Sequence, residues 1–246
     1  MSLVRDLDFS DRRVLISGAA NGFGAAIARE FAACGATLVL ADIEEEQLRI
    51  IAKELGAAAH VYDQSKIDSI SLLAQEAGDV DVLINNAGIL VAKPLLDTTI
   101  EEIQRLISID LVGALHLMQL VGRRMVARKR GVVVSIGSQT AFCGAEGRGV
   151  YAAAKAAISQ LMRAAAVEWG PHGVRTLCLA PGRSLTRMTR ETAHPDYKGD
   201  RGLSRVPLGR WGQPVEIAKM VVFLASDAAS YVTGETVIAD GGYVLG

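Results

Sequence analysis

The chain has 246 residues, of which 50% are hydrophobic, and a formal net charge of −1 at pH 7. This length suits one α/β domain with a large core, and the balanced charge gives no reason to expect nucleic acid or an acidic membrane surface as a partner. No apolar run approaches the roughly 20 residues of a membrane-spanning helix, and the N-terminus lacks the basic and then apolar build of a signal peptide. The 3 cysteines are scattered, which is typical of reduced thiols in a cytoplasmic protein and not of a disulfide framework or metal site.

Short β-rich runs alternate with longer helical patterns along the chain. In chain order the patterns predict strand 13–17, helix 23–34, strand 37–42, helix 44–55, strand 60–63, helix 67–77, strand 80–84, helix 100–128, strand 132–136, helix 150–169, strand 174–179, helix 214–224 and strand 235–239. Strands that are apolar throughout and separated by helices indicate a parallel sheet covered on both faces. We therefore expect a single α/β domain over residues 1–246, with about seven mostly parallel strands in a doubly wound sheet. Residues 183–212 lack clear periodicity and are predicted to form a substrate loop or lid.

A glycine-rich turn follows the first predicted strand. Gly18, Gly22 and Gly24 are spaced GxxxGxG and open the first helix. Glycines let a backbone approach a diphosphate closely, and a helix N-terminus offers free N–H groups with a partial positive charge. The alternative is a tight strand–helix turn without a ligand. The acidic end of the next strand favours cofactor binding.

The acidic residue at that strand end is Asp42. A carboxylate there can accept hydrogen bonds from the adenosine ribose hydroxyls and would repel a 2′-phosphate. No Arg or Lys lies within 19–21 or directly after Asp42, so the sequence favours NAD(H) over NADP(H). Asp42 can also cap the following helix, and both roles are compatible.

Tyr151 and Lys155 are four residues apart and share one helix face. The ordinary pKa of tyrosine is about 10, so a neighbouring ammonium and an oxidised nicotinamide are expected to lower the pKa of Tyr151. Tyr151 can then exchange a proton with an alcohol or ketone, while the Ser138 hydroxyl holds the same substrate oxygen. A surface Tyr–Lys pair without chemistry is the alternative for this motif alone.

Together these motifs resemble the short-chain dehydrogenase/reductase family over about residues 14–242. Ser17-Gly-Ala-Ala-Asn-Gly-Phe-Gly24 is similar to TGxxxGxG, Asn85-Asn-Ala-Gly88 to NNAG, and Pro181 to Thr186 to PGxxxT. The resemblance implies a Rossmann-like fold and a homotetramer or homodimer formed through the helices 100–128 and 150–169. The catalytic residues it implies are Ser138, Tyr151, Lys155 and, at the fourth position, Asp110. The cofactor residues predicted are Gly18, Asn21, Gly22, Phe23, Gly24, Asp42, Ile43, Asp63, Gln64, Asn86, Ala87, Gly88, Tyr151, Lys155, Pro181, Gly182, Ser184 and Thr186.

Three positions depart from the family pattern. Asp110 replaces an asparagine whose backbone carbonyl anchors a water near the active-site lysine. Asp110 can preserve that relay, supply a charged partner to Lys155, or only bond backbone within its helix, and we expect activity to survive. Ser184 stands where Val or Ile often contacts the cofactor, and Arg183 follows Pro-Gly directly.

The predicted substrate residues are Ser138, Gln139, Arg148, Tyr151 and Arg183. The loop 183–212 is rich in arginine, which can clamp a carboxylate or phosphate, although most of these side chains are expected to face solvent or pair with loop carboxylates. The sequence favours an NAD-dependent oxidoreductase acting on a polyol, sugar or hydroxy acid, with no metal. The alternatives are a 3-oxoacyl-carrier-protein reductase, or a protein of this fold that binds NAD without catalysis.

Overall fold

The structure, a computed structural model, describes residues 6–187 and 203–245. Seven parallel strands form one sheet in the order β3-β2-β1-β4-β5-β6-β7. In chain order the strands are β1 Arg13–Ser17, β2 Thr37–Asp42, β3 Ala58–Val61, β4 Val82–Asn85, β5 Gly131–Ile136, β6 Val174–Pro181 and β7 Thr236–Ala239. The predicted doubly wound α/β class is confirmed.

Helices cover both faces of the sheet. In chain order they are α1 Gly22–Ala33, α2 Glu45–Leu55, α3 Ile67–Ala77, α4 Ile100–Ile107, α5 Ala114–Arg128, α6 Gly149–Trp169 and α7 Pro214–Ala225. The apolar sides of α1, α2 and α7 pack in one core. Those of α3, α5 and α6 pack in a second core on the opposite face. Because both faces are buried, the central strands carry apolar residues without alternation, as the sequence pattern predicted.

Two strands begin two residues away from their predicted first residues. β3 starts at Ala58 because Ala58–Val61 pairs in register with Val39–Asp42 of β2. β4 starts only at Val82, because Asp81 accepts a hydrogen bond from the Arg13 N–H at 2.9 Å and forms an ion pair with Arg130 at 3.0 Å. Both shifts come from contacts with distant parts of the chain, which a local pattern does not contain.

The long helix predicted over 100–128 is interrupted by a π-helical turn at Ser108–Gly113. A π turn carries an extra residue, so the regular ladder of helical hydrogen bonds breaks there. Side-chain amides from other elements accompany this turn, since Gln64 Nε2 donates to the Ile109 carbonyl at 2.8 Å and Asn85 Nδ2 donates to the Ala114 carbonyl at 2.8 Å. The turn directs the side chain of Asp110 into the protein, where the residue is 1% exposed.

By length and composition alone, the helical segment Ile100–Arg128 could cross a membrane, and 44% of its most apolar window is buried inside the protein. Core helices of water-soluble proteins have the same properties. In this fold the buried side of α5 packs against the sheet together with α3 and α6.

The described parts of the predicted loop 183–212 are joined at its base. Gly212 donates its N–H to the Arg183 carbonyl at 3.0 Å, and Leu185 donates to the Gly212 carbonyl at 3.1 Å. The ends of the loop are therefore fixed to each other. Residues 188–202 lie outside the described residues. They include two of the loop arginines, at positions 190 and 201, that the sequence analysis considered for binding an anionic substrate.

We expect Gly113→Ala to destabilise the π turn. A Cβ at Gly113 would overlap the backbone carbonyl oxygen of Gln64. Overpacking of this kind costs about 1–3 kcal/mol of unfolding free energy, which urea denaturation measures. Gly170→Ala is the matched control, because Gly170 has right-handed helical backbone angles and nothing within 4 Å of its Cβ position. Equal stability of the two variants would contradict the importance of this contact.

Candidate active site

The sheet reverses its strand order between β1 and β4, so the chain leaves these two neighbouring strands in opposite directions. The carboxyl ends of such strands border a crevice, which is where open α/β sheets bind ligands. The glycine turn follows β1 and the segment Asn86 to Gly88 follows β4. Two of the predicted cofactor-binding segments therefore meet at this crevice.

The glycine turn is shaped to hold a diphosphate. Gly18 has a φ of 66°, in the left-handed region that favours glycine. A Cβ at Gly24 would overlap the Gly18 carbonyl. The first turn of α1 can therefore lie this close to the glycine turn only because residue 24 is a glycine. Asn21 precedes α1 without a side-chain cap bond, which leaves the first N–H groups of the helix open to an anion. This cradle fits the diphosphate of a dinucleotide.

Asn86 fixes the turn against β4. Its Nδ2 donates to the carbonyls of Ser17 at 2.9 Å and Gly18 at 3.0 Å. In return, the N–H groups of Asn86 and Ala87 donate to Ser17 Oγ at 2.9 and 3.0 Å. Gly88 is equally constrained, since a Cβ there would lie 2.8 Å from Asp110 Oδ2. These contacts explain why small residues and an amide occur together in this segment.

Asp42 joins the glycine turn to the second strand–helix connection. Its carboxylate accepts the Ala20 N–H at 2.9 Å and the Glu44 N–H at 3.0 Å. Both oxygens retain lone pairs that can accept ribose hydroxyls. The neighbouring Ile43 is 63% exposed and offers an apolar surface to a base at this end of the crevice.

An ion pair that the sequence did not predict lies at the same end. Arg187 pairs with Glu44, with Arg187 Nη1 donating to Oε2 at 2.9 Å, and Asn21 Nδ2 donates to the same oxygen at 3.0 Å. The bond from Arg187 holds the pKa of Glu44 below its ordinary value. The absence of Arg and Lys from residues 19–21 and directly after Asp42 therefore does not leave this end of the crevice without a basic residue. Glu44 and Arg187 are 143 residues apart in sequence, so no local signal reveals the pair.

Asp63 and Gln64 follow β3 at the same edge of the sheet. Asp63 Oδ1 accepts both the N–H and the hydroxyl of Ser65, at 2.9 and 2.6 Å, and these bonds lower the pKa of Asp63. The side chain of Gln64 is directed inward, where it accepts from the Tyr62 hydroxyl at 2.6 Å and donates to the Ala87 carbonyl at 3.0 Å. Gln64 is thus a brace between segments, and cofactor contacts by these two residues stay predictions.

The segment after β6 closes over the glycine turn. Gly182 donates its N–H to the Ala239 carbonyl at 2.9 Å, and the buried Ser184 donates its hydroxyl to the Gly182 carbonyl at 3.3 Å. Thr186 is buried, with its side chain 3.6 Å from the Cβ position of Gly22. Phe23 lies partly buried at the start of α1. The residues from Pro181 to Thr186 therefore border the same crevice as the glycine turn.

The predicted proton-transfer residues converge at the other end of the crevice. Tyr151 and Lys155 lie one turn apart on α6, with Lys155 Nζ 5.5 Å from the centre of the phenol ring. Ser138 follows β5 and lies close enough to Tyr151 for their interaction to lower the pKa of the phenol. Ser138 Oγ accepts the N–H of Thr140 at 3.2 Å and its hydroxyl at 2.9 Å. Since these two donors occupy its lone pairs, the Ser138 hydroxyl proton is left for the Tyr151 oxygen or for a substrate oxygen.

Asp110 adds a carboxylate to this group. Its Oδ2 lies 3.1 Å from Lys155 Nζ, and the two side chains are 0% and 7% exposed. Its Oδ1 accepts the Ile89 N–H at 2.7 Å. Of the roles considered for Asp110, a bond only to the backbone of its own helix does not fit these contacts.

The charge of Lys155 alone does not bring the pKa of Tyr151 below its ordinary value. Removal of the phenol from water, reinforced by the charge of Asp110, raises the pKa of Tyr151, although the charges of Lys155 and Arg148 act to lower it. Burial acts to lower the pKa of Lys155, but the negative charges of Asp110 and Tyr151 outweigh it and raise the pKa. The sequence prediction considered the cation beside Tyr151 without the desolvation and the second charge.

The predicted substrate residues differ in what they contact and in how directly they are linked to Tyr151. Gln139 is 5% exposed and directly follows Ser138, and Arg148 is near enough to influence the pKa of Tyr151. Arg183 stacks on the Trp211 ring at 5.3 Å.

The other described arginines of the loop 183–212 have partners outside the loop, in addition to the loop carboxylates that the sequence analysis considered. These partners are Glu44 for Arg187, Tyr243 for Arg205 and Glu216 for Arg210. Within residues 6–187 and 203–245, no group of His, Cys, Asp and Glu side chains could hold a metal ion.

Comparison with known proteins gives consistent relatives. A sequence profile described as enoyl-(acyl carrier protein) reductase matches residues 18–244. The chain is 38% identical over 238 residues to galactitol 2-dehydrogenase (L-tagatose-forming) of Cereibacter sphaeroides, which covers 94% of both proteins. It is 35% identical over 240 residues to the 3-oxoacyl-[acyl-carrier-protein] reductase FabG of Thermotoga maritima, which covers 94% of this chain and 97% of the relative. A solved gluconate 5-dehydrogenase from Burkholderia cenocepacia J2315, in complex with NADP and tartrate, is similar with a TM-score of 0.94 and 30% identity over 100% of both chains.

We expect Thr140→Val to lower kcat. The substitution keeps the shape of the side chain but removes the hydroxyl that donates to Ser138 Oγ. Loss of one neutral hydrogen bond corresponds to about fivefold to tenfold in rate, which steady-state kinetics measures. Thr98→Val is the control, since the Thr98 hydroxyl donates only to the Pro94 carbonyl at 2.9 Å on an exposed turn. Wild-type turnover in both variants would contradict the orienting role of Thr140.

Proposed function

The chain belongs to the short-chain dehydrogenase/reductase family and is an oxidoreductase that acts on CH–OH groups, and we propose that it interconverts a polyol, sugar or hydroxy acid and the corresponding ketone with NAD(H). The observation that carries the proposal is the convergence of Tyr151, Lys155 and Ser138 beside a cradle for a dinucleotide. These residues supply a proton-transfer group, a cation and a hydroxyl donor at one end of the crevice.

The chain's own residues account for the proton transfer. In alcohol oxidation, Ser138 donates a hydrogen bond to the substrate oxygen, and the Tyr151 phenolate takes the hydroxyl proton as the C–H bond breaks. A nicotinamide cofactor, when bound, would supply the hydride acceptor for oxidation in its oxidised form and the hydride donor for reduction in its reduced form. In ketone reduction, neutral Tyr151 returns the proton to the carbonyl oxygen. Lys155 stabilises the phenolate in both directions, because its positive charge lies 5.5 Å from the ring centre.

The charges at the adenosine end support NAD(H) as the cofactor. Asp42 and Glu44 both lie there, and a 2′-phosphate would approach two carboxylates. Arg187 offsets one of these charges, because it is paired with Glu44. The remaining negative charge of Asp42 disfavours NADP(H).

The polar groups near Tyr151 support a hydroxylated substrate. The Ser138 hydroxyl, whose oxygen accepts both the N–H and the hydroxyl of Thr140, has its own proton to donate to a substrate oxygen. Arg148 adds a positive charge that would suit a carboxylate of a hydroxy acid. The names of two relatives, galactitol 2-dehydrogenase and gluconate 5-dehydrogenase, refer to substrates with these groups.

A second candidate is reduction of a 3-oxoacyl thioester carried by acyl carrier protein. The matching profile and the Thermotoga maritima relative both carry acyl-carrier-protein reductase descriptions. Reduction would use the same Tyr151 and Ser138. The positive charge of Arg148 near Tyr151 is the feature that favours a hydroxy acid over an acyl chain.

The proposed assembly and location rest on other features. A homotetramer or homodimer through the helical segment 100–128 and α6 is supported by exposed apolar side chains, among them Val112 in the π turn at 47% and Val167 on α6 at 79% exposure. The three cysteines are free thiols, which suits the proposed cytoplasmic location.

A substrate screen tests the proposed activity. We expect NAD+-dependent oxidation of at least one polyol, sugar or hydroxy acid, followed by absorbance of the reduced cofactor. Tyr151→Phe should lower the turnover at least about a hundredfold, because the proton acceptor is removed. Binding of NAD+, measured by calorimetry, should persist in this variant. Turnover only of 3-oxoacyl thioesters would favour the second candidate, and NAD+ binding with no turnover in wild type would favour a protein that binds the cofactor without catalysis.

The cofactor preference depends on Asp42. We expect Asp42→Ala to weaken NAD+ binding by about tenfold or more, because charge-assisted hydrogen bonds are lost, and to reduce the discrimination against NADP+. Dissociation constants for both cofactors measure the change. Glu46→Ala removes an exposed carboxylate at the start of α2 and serves as the control. An unchanged ratio of the two constants in Asp42→Ala would refute the assigned role.

A further inference from the structure

A buried ion pair lies behind the proton-transfer residue. Asp110 Oδ2 and Lys155 Nζ are 3.1 Å apart, with 0% and 7% of their side chains exposed. Removing two charges from water costs more than a modest Coulomb attraction returns, so a buried pair is weak evidence of a stabilising role. The position of this pair, with Nζ 5.5 Å from the Tyr151 ring centre, gives it a role in the chemistry.

The carboxylate is held at this place from two sides. The Ile89 N–H donates to Oδ1 at 2.7 Å, and Gly88 leaves the space that Oδ2 occupies. The π turn brings Asp110 to the lysine, and Gln64 donates to the preceding carbonyl, Ile109, at 2.8 Å. A rotation of the Asp110 side chain away from Lys155 would therefore break its bond to the segment after β4.

We propose that Asp110 is a positioning residue whose carboxylate neutralises the Lys155 ammonium and so sets the pH at which Tyr151 exchanges its proton. This inference rests on the proposed function, in which Tyr151 is the proton-transfer group. The asparagine that the family pattern has at this position is uncharged and would leave the ammonium without a counter-ion.

The sign of the effect follows from the charges that face Tyr151. Lys155 on α6 and Arg148 directly before α6 are cations, Asp110 on the π turn is an anion, and Ser138 and the buried Cys178 thiol are neutral. With Asp110 charged, ionisation of Tyr151 adds a second negative charge around Lys155. With an uncharged residue at 110, the phenolate would be the only anion beside Lys155 and would form at lower pH. Asp110 thus keeps the neutral, proton-donating form of Tyr151 populated to higher pH.

The substitution Asp110→Asn tests the proposal. Oxidation needs the phenolate, so its rate rises with pH through the midpoint of Tyr151. We expect this midpoint in the pH profile of kcat/KM to move to lower pH by about one to two units, as removal of a close charge implies. Asp110→Ser, also uncharged, should move it in the same direction. An unchanged or higher midpoint in both variants would overturn the proposal.

Asp81→Asn is the matched control. Asp81 is also buried, also accepts a backbone N–H, and pairs with Arg130 at 3.0 Å, but it precedes β4 at the opposite edge of the sheet. Its substitution should lower the thermal unfolding midpoint without moving the pH midpoint. A shift equal to that of Asp110→Asn would show a general effect of lost charge and would count against the proposal.

A second readout does not need a substrate. Nuclear magnetic resonance of ring-labelled tyrosine, with the Tyr151 signal identified by its loss in Tyr151→Phe, follows the phenol in the protein without cofactor. The titration of Tyr151 should move to lower pH in Asp110→Asn. If no substrate is turned over, the proposed function fails while this titration still decides the effect of Asp110. If the enzyme is active and the titration does not move, only the present inference fails.

Discussion

The reversal of strand order between β1 and β4 is the constraint on which the site depends. It opens a crevice between the carboxyl ends of two strands that are hydrogen-bonded neighbours. Asn86 secures this junction through its bonds to the Ser17 and Gly18 carbonyls at 2.9 and 3.0 Å. From the junction, the chain reaches Asp42 on one side and Ser138 on the other, so the residues proposed to contact the cofactor and the substrate lie along one crevice.

The second requirement is the π turn in the long helix. A regular helix would satisfy its own carbonyls. Here the amide of Gln64, in the segment after β3, bonds Ile109 in the turn, and the amide of Asn85 in β4 bonds Ala114 directly after it. The interruption sets Asp110 against Lys155 and links the helix to the segment that borders the cofactor crevice. The negative charge near Tyr151 thus depends on the π turn, which lies in a different helix from Tyr151.

The fold and most of the site could be predicted because their signals are local. Apolar strands, helical periodicity and glycine spacing lie within short windows, and the separation of Tyr151 and Lys155 matches one helical turn. Other parts could not be predicted in this way. The Glu44–Arg187 pair joins residues 143 apart, and the orienting bond from Thr140 to Ser138 depends on the conformation of the turn after β5.

The sequence by itself determined the class of chemistry, because a phenol, an ammonium and a hydroxyl at fixed spacing on predictable elements have few other uses together. Only the tertiary structure decided the charge state around them. The direction of the Tyr151 pKa shift depends on removal of the phenol from water and on the carboxylate of Asp110. Both are set by packing between distant segments, since burial and distances between charges have no local sequence pattern.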